Sequence, residues 1–110
     1  YFWITTFGDG IFRWHKGLNQ ITQFNSSNSP LPDDWVLAGT MSDYGLYFGT
    51  FGGGAIRYSP NNNSWTPISL KEGLPSLNVA VINGARGEIF FGTLGGGVAI
   101  LSEALSVYGL

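Results

Sequence analysis

A period of 43–44 residues runs through the chain and decides what it can fold into. Three segments superimpose on sight: Phe2-Trp3-Ile4-Thr5-Thr6-Phe7-Gly8-Asp9-Gly10, Leu46-Tyr47-Phe48-Gly49-Thr50-Phe51-Gly52-Gly53-Gly54 and Ile89-Phe90-Phe91-Gly92-Thr93-Leu94-Gly95-Gly96-Gly97. Thr6, Thr50 and Thr93 stand 44 and then 43 residues apart. A second block keeps the same step: Leu31-Pro32 precedes the apolar run from Trp35 to Ala38, and Leu74-Pro75 precedes Val79 to Ile82. A period near 40–45 residues belongs to propeller blades and to some helical repeats. The local chemistry separates the two. Short aromatic and β-branched runs are punctuated by Gly, Asn, Pro and Asp, and three consecutive glycines would cost a helix roughly 3 kcal/mol. Each unit therefore reads as a four-stranded antiparallel sheet.

The expected innermost strands are Trp35–Met41 and Val79–Asn83. The second strands are Phe2–Thr6, Leu46–Thr50 and Ile89–Thr93, and the third are Ile11–His15, Ala55–Ser59 and Val98–Ser102. The outer strands are Ile21–Phe24, Ser64–Ile68 and Leu105–Tyr108. Near-continuous apolar runs fit sheets covered on both faces. The fold class is all-β, a partial β-propeller of about two and a half to three blades. It forms a single domain over 1–110, with repeats at about 1–30, 31–73 and 74–110. Eleven strands leave the first blade without its innermost strand, and a closed ring needs about four to eight blades. Two copies would supply six blades but leave backbone groups unpaired where the chains meet. A piece of a longer propeller is expected, its remaining blades coming from the same longer chain or, alternatively, from identical copies.

Composition excludes whole classes of function. Five Lys+Arg against seven Asp+Glu give no basic footprint, so no nucleic-acid partner is expected. No apolar run approaches the ~20 residues of a membrane span. Without Cys there is no disulfide framework and no thiolate metal site. The single histidine, His15, makes no metal site alone and is read as an exposed edge residue. The glycine triplets lead into strands rather than helices, so they read as turns needing positive φ, not as phosphate cradles. Asp9 reads as a turn residue. A hydrolase or lyase would have to draw on Asp9, Asp33, Asp34, Lys71 and Glu72, and a non-catalytic chain with no cofactor and no metal is expected.

The unit Gly73-Leu74-Pro75-Ser76-Leu77-Asn78-Val79-Ala80-Val81-Ile82, followed by Gly87-Glu88-Ile89-Phe90-Phe91-Gly92-Thr93 and Gly95-Gly96-Gly97-Val98, resembles the two-component regulator propeller repeat. The match covers essentially the whole chain. It departs at Ala85-Arg86-Gly87-Glu88 and Asp43-Tyr44-Gly45, where an Asp-Gly-Asn turn is usual, and at Ser29-Pro30-Leu31-Pro32-Asp33-Asp34. The resemblance implies the periplasmic or extracellular sensor of a bacterial hybrid histidine kinase, taken to bind oligosaccharides. In propellers the loops joining second to third strands share a face with those joining one blade to the next. There Phe7, Trp35 and Phe51 could stack on an oligosaccharide or small polar ligand, with Asp33, Asp34 and Asn78 hydrogen-bonding to it. Trp35 does not recur, its counterpart being Asn78, and a half-buried loop Trp is also an ordinary structural feature. The alternative is a structural or protein-interaction module that self-assembles through its exposed blade edges.

Overall fold

The computed structural model describes residues 1–103 and, as backbone, 107–109. Eleven strands fall into three antiparallel sheets with simple up-and-down order. Sheet 1 holds β1 (Phe2–Thr5), β2 (Ile11–His15) and β3 (Gln20–Phe24). Sheet 2 holds β4 (Val36–Ser42), β5 (Gly45–Thr50), β6 (Ala55–Ser59) and β7 (Ser64–Ile68). Sheet 3 holds β8 (Val79–Ala85), β9 (Glu88–Thr93), β10 (Gly97–Ser102) and β11 (Val107–Gly109). The strands expected from the period are all present, within two residues at each end. The exception is the last, expected over 105–108 and described from Val107, residues 104–106 lying outside the described part.

The sheets stack face to face, and the apolar alternation shows why. Strand β5 is buried over all six residues. Leu46 and Phe48 point into one core with Ile11, Leu31, Val36, Ile56 and Tyr58, beneath Trp3, Phe24 and Trp65 of the flanking strands. Tyr47 points the other way, into a second core with Val79, Ile82, Ile89, Phe91 and Ala99. A period-two strand carrying large side chains at every position needs a sheet on each side. Gly49 permits the close approach of the next sheet: a Cβ there would lie 2.7 Å from Val79 Cγ1. Both inner strands carry one extra residue opposite the end of their neighbour, between Val36 and Ala38 and again between Val79 and Val81. These bulges bend β4 and β8 at the same point of the repeat.

Two further features punctuate the sheets. Ser69 begins a 3-10 turn over Leu70–Glu72, and the Glu72 carboxylate accepts both the Ser69 N–H (2.7 Å) and its hydroxyl (2.9 Å). The Asn61-Asn62-Asn63 hairpin turns as its composition implies, with Asn63 at φ 52°. His15 is half-buried rather than exposed. Its Nδ1 accepts the Leu18 N–H at 3.0 Å and its ring meets Tyr1 edge-on, because the hairpin after β2 folds back over it.

Candidate functional site: an aromatic loop face

The recurring threonine builds each loop between second and third strands. Its hydroxyl donates to the carbonyl four residues on: Thr6 to Gly10 (2.8 Å), Thr50 to Gly54 (2.7 Å) and Thr93 to Gly97 (2.7 Å). In the first two loops the same oxygen accepts a backbone N–H, from Asp9 or Gly53. Closing so tight a loop requires left-handed backbone two and four residues after the threonine, as at Gly52 (φ 105°) and Gly54 (φ 81°). The position between them carries no such requirement. It is Asp9 in the first loop and a glycine in the others, where a Cβ would press on Pro32 or on Ser76.

Each loop is then held by the segment leading into the next sheet. The Asp34 carbonyl accepts the N–H groups of Gly8 (3.1 Å) and Gly10 (2.9 Å), and the Leu77 carbonyl those of Gly52 (3.1 Å) and Gly54 (2.8 Å). The glycine amides of these two loops grip protein carbonyls, which fills the role a phosphate cradle would otherwise leave open. One residue on, Phe7 pairs with Trp35 and Phe51 with Asn78 in isolated bridges. Phe51 N–H donates to the Trp35 carbonyl (2.9 Å), and Leu94 N–H to that of Asn78 (2.8 Å). The result is a backbone ladder across all three sheets, in the order Phe7, Trp35, Phe51, Asn78, Leu94.

The side chains on this ladder stay in water. Phe7 is 68% exposed, Trp35 53% and Phe51 51%. The Phe7 and Trp35 rings lie parallel, 3° apart, with centroids 6.2 Å from each other. Asn78 is half-buried. Phe7, Trp35 and Phe51 are therefore on one face, and Leu94 joins them at the position where the repeat had already placed it.

The carboxylates are employed differently from the aromatics. Asp33 Oδ1 accepts the Trp35 N–H at 2.8 Å, and Ser76 Oγ accepts the Asn78 N–H at 3.2 Å in the next repeat. Both are side-chain turns that set the backbone leading into an inner strand. Asp34 turns back to Ser26, accepting its N–H (2.7 Å) on Oδ1 and its hydroxyl (3.0 Å) on Oδ2. Asp9 is exposed in its turn, and Glu72 is engaged by Ser69. Among the described residues no three His, Cys, Asp or Glu side chains gather as metal ligands. Nor, among the described residues, is any helix long and apolar enough to cross a membrane.

Two features escaped the sequence reading. A cavity of about 490 Å³ lies away from these residues, between β1 and β4. A polar cluster joins sheets 2 and 3 on another side: Glu103 accepts the Tyr47 hydroxyl (2.9 Å) and the Ser42 hydroxyl. Burial first, and the Glu103 carboxylate second, push the Tyr47 phenol above its ordinary pKa.

No family model matches the chain, and no curated protein does. Solved structures do share its fold. One is the extracellular domain of a protein described as a hybrid two component system, BT3049 from B. thetaiotaomicron. It superimposes with a TM-score of 0.81 at 22% identity, over 98% of this chain and 16% of that one. Another is the extracellular domain of a protein described as a one component system, BT4673 from the same organism. Its TM-score is 0.76 at 17% identity, with the same coverage. The chain thus spans about a sixth of either domain, and the likeness establishes a common fold.

Proposed function

We propose that the chain is a ligand-binding segment of an extracytoplasmic sensor propeller, its three sheets acting as successive blades. The aromatic loop face would be the surface that meets an oligosaccharide. The observation that carries this reading is the parallel, half-exposed pair of Phe7 and Trp35, fixed by backbone hydrogen bonds on both sides. Flat rings held rigidly at a loop face offer apolar area at little entropic cost, which suits the faces of sugar rings. Phe51 extends that surface and Asn78 offers an amide beside it. Asp33 and Asp34 shape the loops through Trp35 and Ser26 and keep acceptor capacity for the ligand on both carboxylates. The repeat resemblance, and the extracellular domains of a two component and a one component system that share the fold, support the sensing role and a periplasmic or extracellular setting. The reading is non-catalytic and rests on the resemblance to a sensor propeller; Asp33 and Asp34 set the turns of the loop face.

The test is a titration of the chain with a panel of soluble oligosaccharides, followed by tryptophan fluorescence and calorimetry. Trp35→Ala and Phe7→Ala should each weaken binding about 3- to 10-fold, the equivalent of ~0.5–1.5 kcal/mol for a ring contact. Affinity unchanged in both variants would remove the ligand from this face.

A further inference from the structure

The loop-face side chains stand in single file. Val36 pairs with Thr50 and Val79 with Thr93, so one residue further out Trp35 lies opposite Phe51 and Asn78 opposite Leu94. The isolated bridges Phe7–Trp35 and Phe51–Asn78 join the sheets in the same register. Directly opposed residues of antiparallel neighbours turn their side chains to one side. Phe7, Trp35, Phe51, Asn78 and Leu94 therefore form one row across the strands. Each step is a strand spacing of about 4.8 Å, and four steps make a row of about 19 Å. A step of that size is close to the length of one pyranose in an extended chain.

The charge around this row has one sign. Asp9 is exposed in the turn that follows Phe7. Asp33 holds the Trp35 N–H on Oδ1, while its Oδ2 stands at the next loop, 3.7 Å from where a Cβ on Gly52 would be. Asp34, bonded to Ser26, adds a third carboxylate. The cations stand elsewhere. Arg13 reaches the Tyr58 hydroxyl from mid-strand, and Arg57 reaches the Tyr44 carbonyl in the β4–β5 turn. Lys16 and Arg86 sit in the β2–β3 and β8–β9 turns, at the opposite ends of the strands. Lys71 lies in the 3-10 turn beside Glu72, whose carboxyl it helps to keep ionised. Sugar hydroxyls donate readily to carboxylates, whereas a uronate or sulfate arriving here meets like charge with no ion pair to offset it.

We infer, resting on the loop-face reading above, that the row takes an unbranched, extended and uncharged chain of β-linked pyranoses, about four units long. Asp9, Asp33 and Asp34 exclude its anionic counterparts.

The probes are β-1,4-linked oligomers of glucose, mannose and xylose, from dimer to hexamer, and the matching oligomers of glucuronate and mannuronate, followed by calorimetry. Affinity for a neutral series should climb from dimer to tetramer and then level off. The uronate tetramers should bind about tenfold more weakly, or worse, at about 0.01 M salt, and the gap should narrow at about 1 M. Asp9→Asn, Asp33→Asn and Asp34→Asn combined should cut that preference by about threefold or more, since each Asn keeps a side-chain oxygen for its turn. Three results would overturn the inference and leave the loop-face reading standing, provided that Trp35→Ala still weakens binding. They are uronates that bind as tightly, a preference untouched by the combined variant, and an affinity that is flat beyond the dimer. Binding indifferent to Trp35→Ala, or no binding of any oligomer, would overturn both.

Discussion

Three side chains show how much a single residue of the repeat carries. Thr50 is fully buried and satisfies both Gly53 N–H and Gly54 carbonyl. Thr50→Val keeps the shape and the backbone bond from residue 50 to the Gly54 carbonyl but strands the Gly53 N–H, and should cost about 1–3 kcal/mol in denaturant unfolding. Thr93 makes the same bond to Gly97 in a more open setting, so Thr93→Val should cost clearly less. Arg86 occupies a left-handed position (φ 54°) beside Gly87 (φ 81°) in the turn between β8 and β9. Two consecutive positive φ values favour Asn-Gly there, and Arg86→Asn should raise stability by about 0.5–1 kcal/mol. Glu72 is held below the ordinary carboxyl range, first by the Ser69 N–H and then by the Ser69 hydroxyl. A depressed folded value means stability that is present above the unfolded pKa and is lost as pH falls through the folded one. An NMR titration should find the Glu72 midpoint below that of a free glutamate, and Glu72→Gln should flatten the acid side of the stability profile. Ser69→Ala, which keeps the backbone donor, should restore only part of the shift.

At the scale of the strand, close approach and bulges matter more than propensity. Gly49→Ala would drive a methyl to 2.7 Å from Val79 Cγ1 and 2.8 Å from its carbonyl. It should destabilise by about 1–3 kcal/mol. Gly92 holds the same place in sheet 3, where the nearest atom would be 3.4 Å away, and Gly92→Ala should be close to neutral in the same thermal melts. The repeat made the strands legible because two blocks kept one spacing and every run was bounded by turn residues. It also identified the loop-face aromatics, because Phe7, Phe51 and Leu94 share one register. The inner-strand bulges left no trace, since an extra residue within Val36–Ala38 does not interrupt an apolar run. The bond between Asp34 and Ser26 left no trace either, because Ser26 lies eight residues back in a stretch with no periodic signal. The Ser69-x-x-Glu72 spacing was a readable capping signal for the 3-10 turn. The Tyr47–Glu103 bond joins residues 56 apart on different sheets, and only the stacking of the sheets brings them together.

For the whole molecule, the two end faces follow from the two internal interfaces. Leu46, Phe48, Ile56 and Tyr58 face sheet 1 from sheet 2, and Ile89, Phe91, Ala99 and Leu101 fill the same places in sheet 3. Their counterparts in sheet 1 are Phe2, Ile4, Phe12 and Trp14, paired across β1 and β2 on the face turned away from sheet 2. Phe2, Ile4 and the neighbouring Ile21 are exposed there. Sheet 3 turns outward the other half of the pattern, Val81, Phe90, Val98 and Ile100, at the positions through which Tyr47 and Ala55 meet sheet 3. One end of the stack is therefore complementary to the other rather than to itself. A contact between unlike faces closes into a ring only if the rotation per copy divides a full turn, and otherwise grows without limit. Light scattering over a concentration series should show mass rising with concentration, and Ile4→Glu together with Ile21→Lys should suppress the rise. Those changes touch neither core, so the melting temperature should stay within about 2–4 °C. A mass that plateaus at one value would mean that the faces close a ring of fixed size. A constant monomer mass would mean that they do not meet at all, and that the apolar end faces await a different partner.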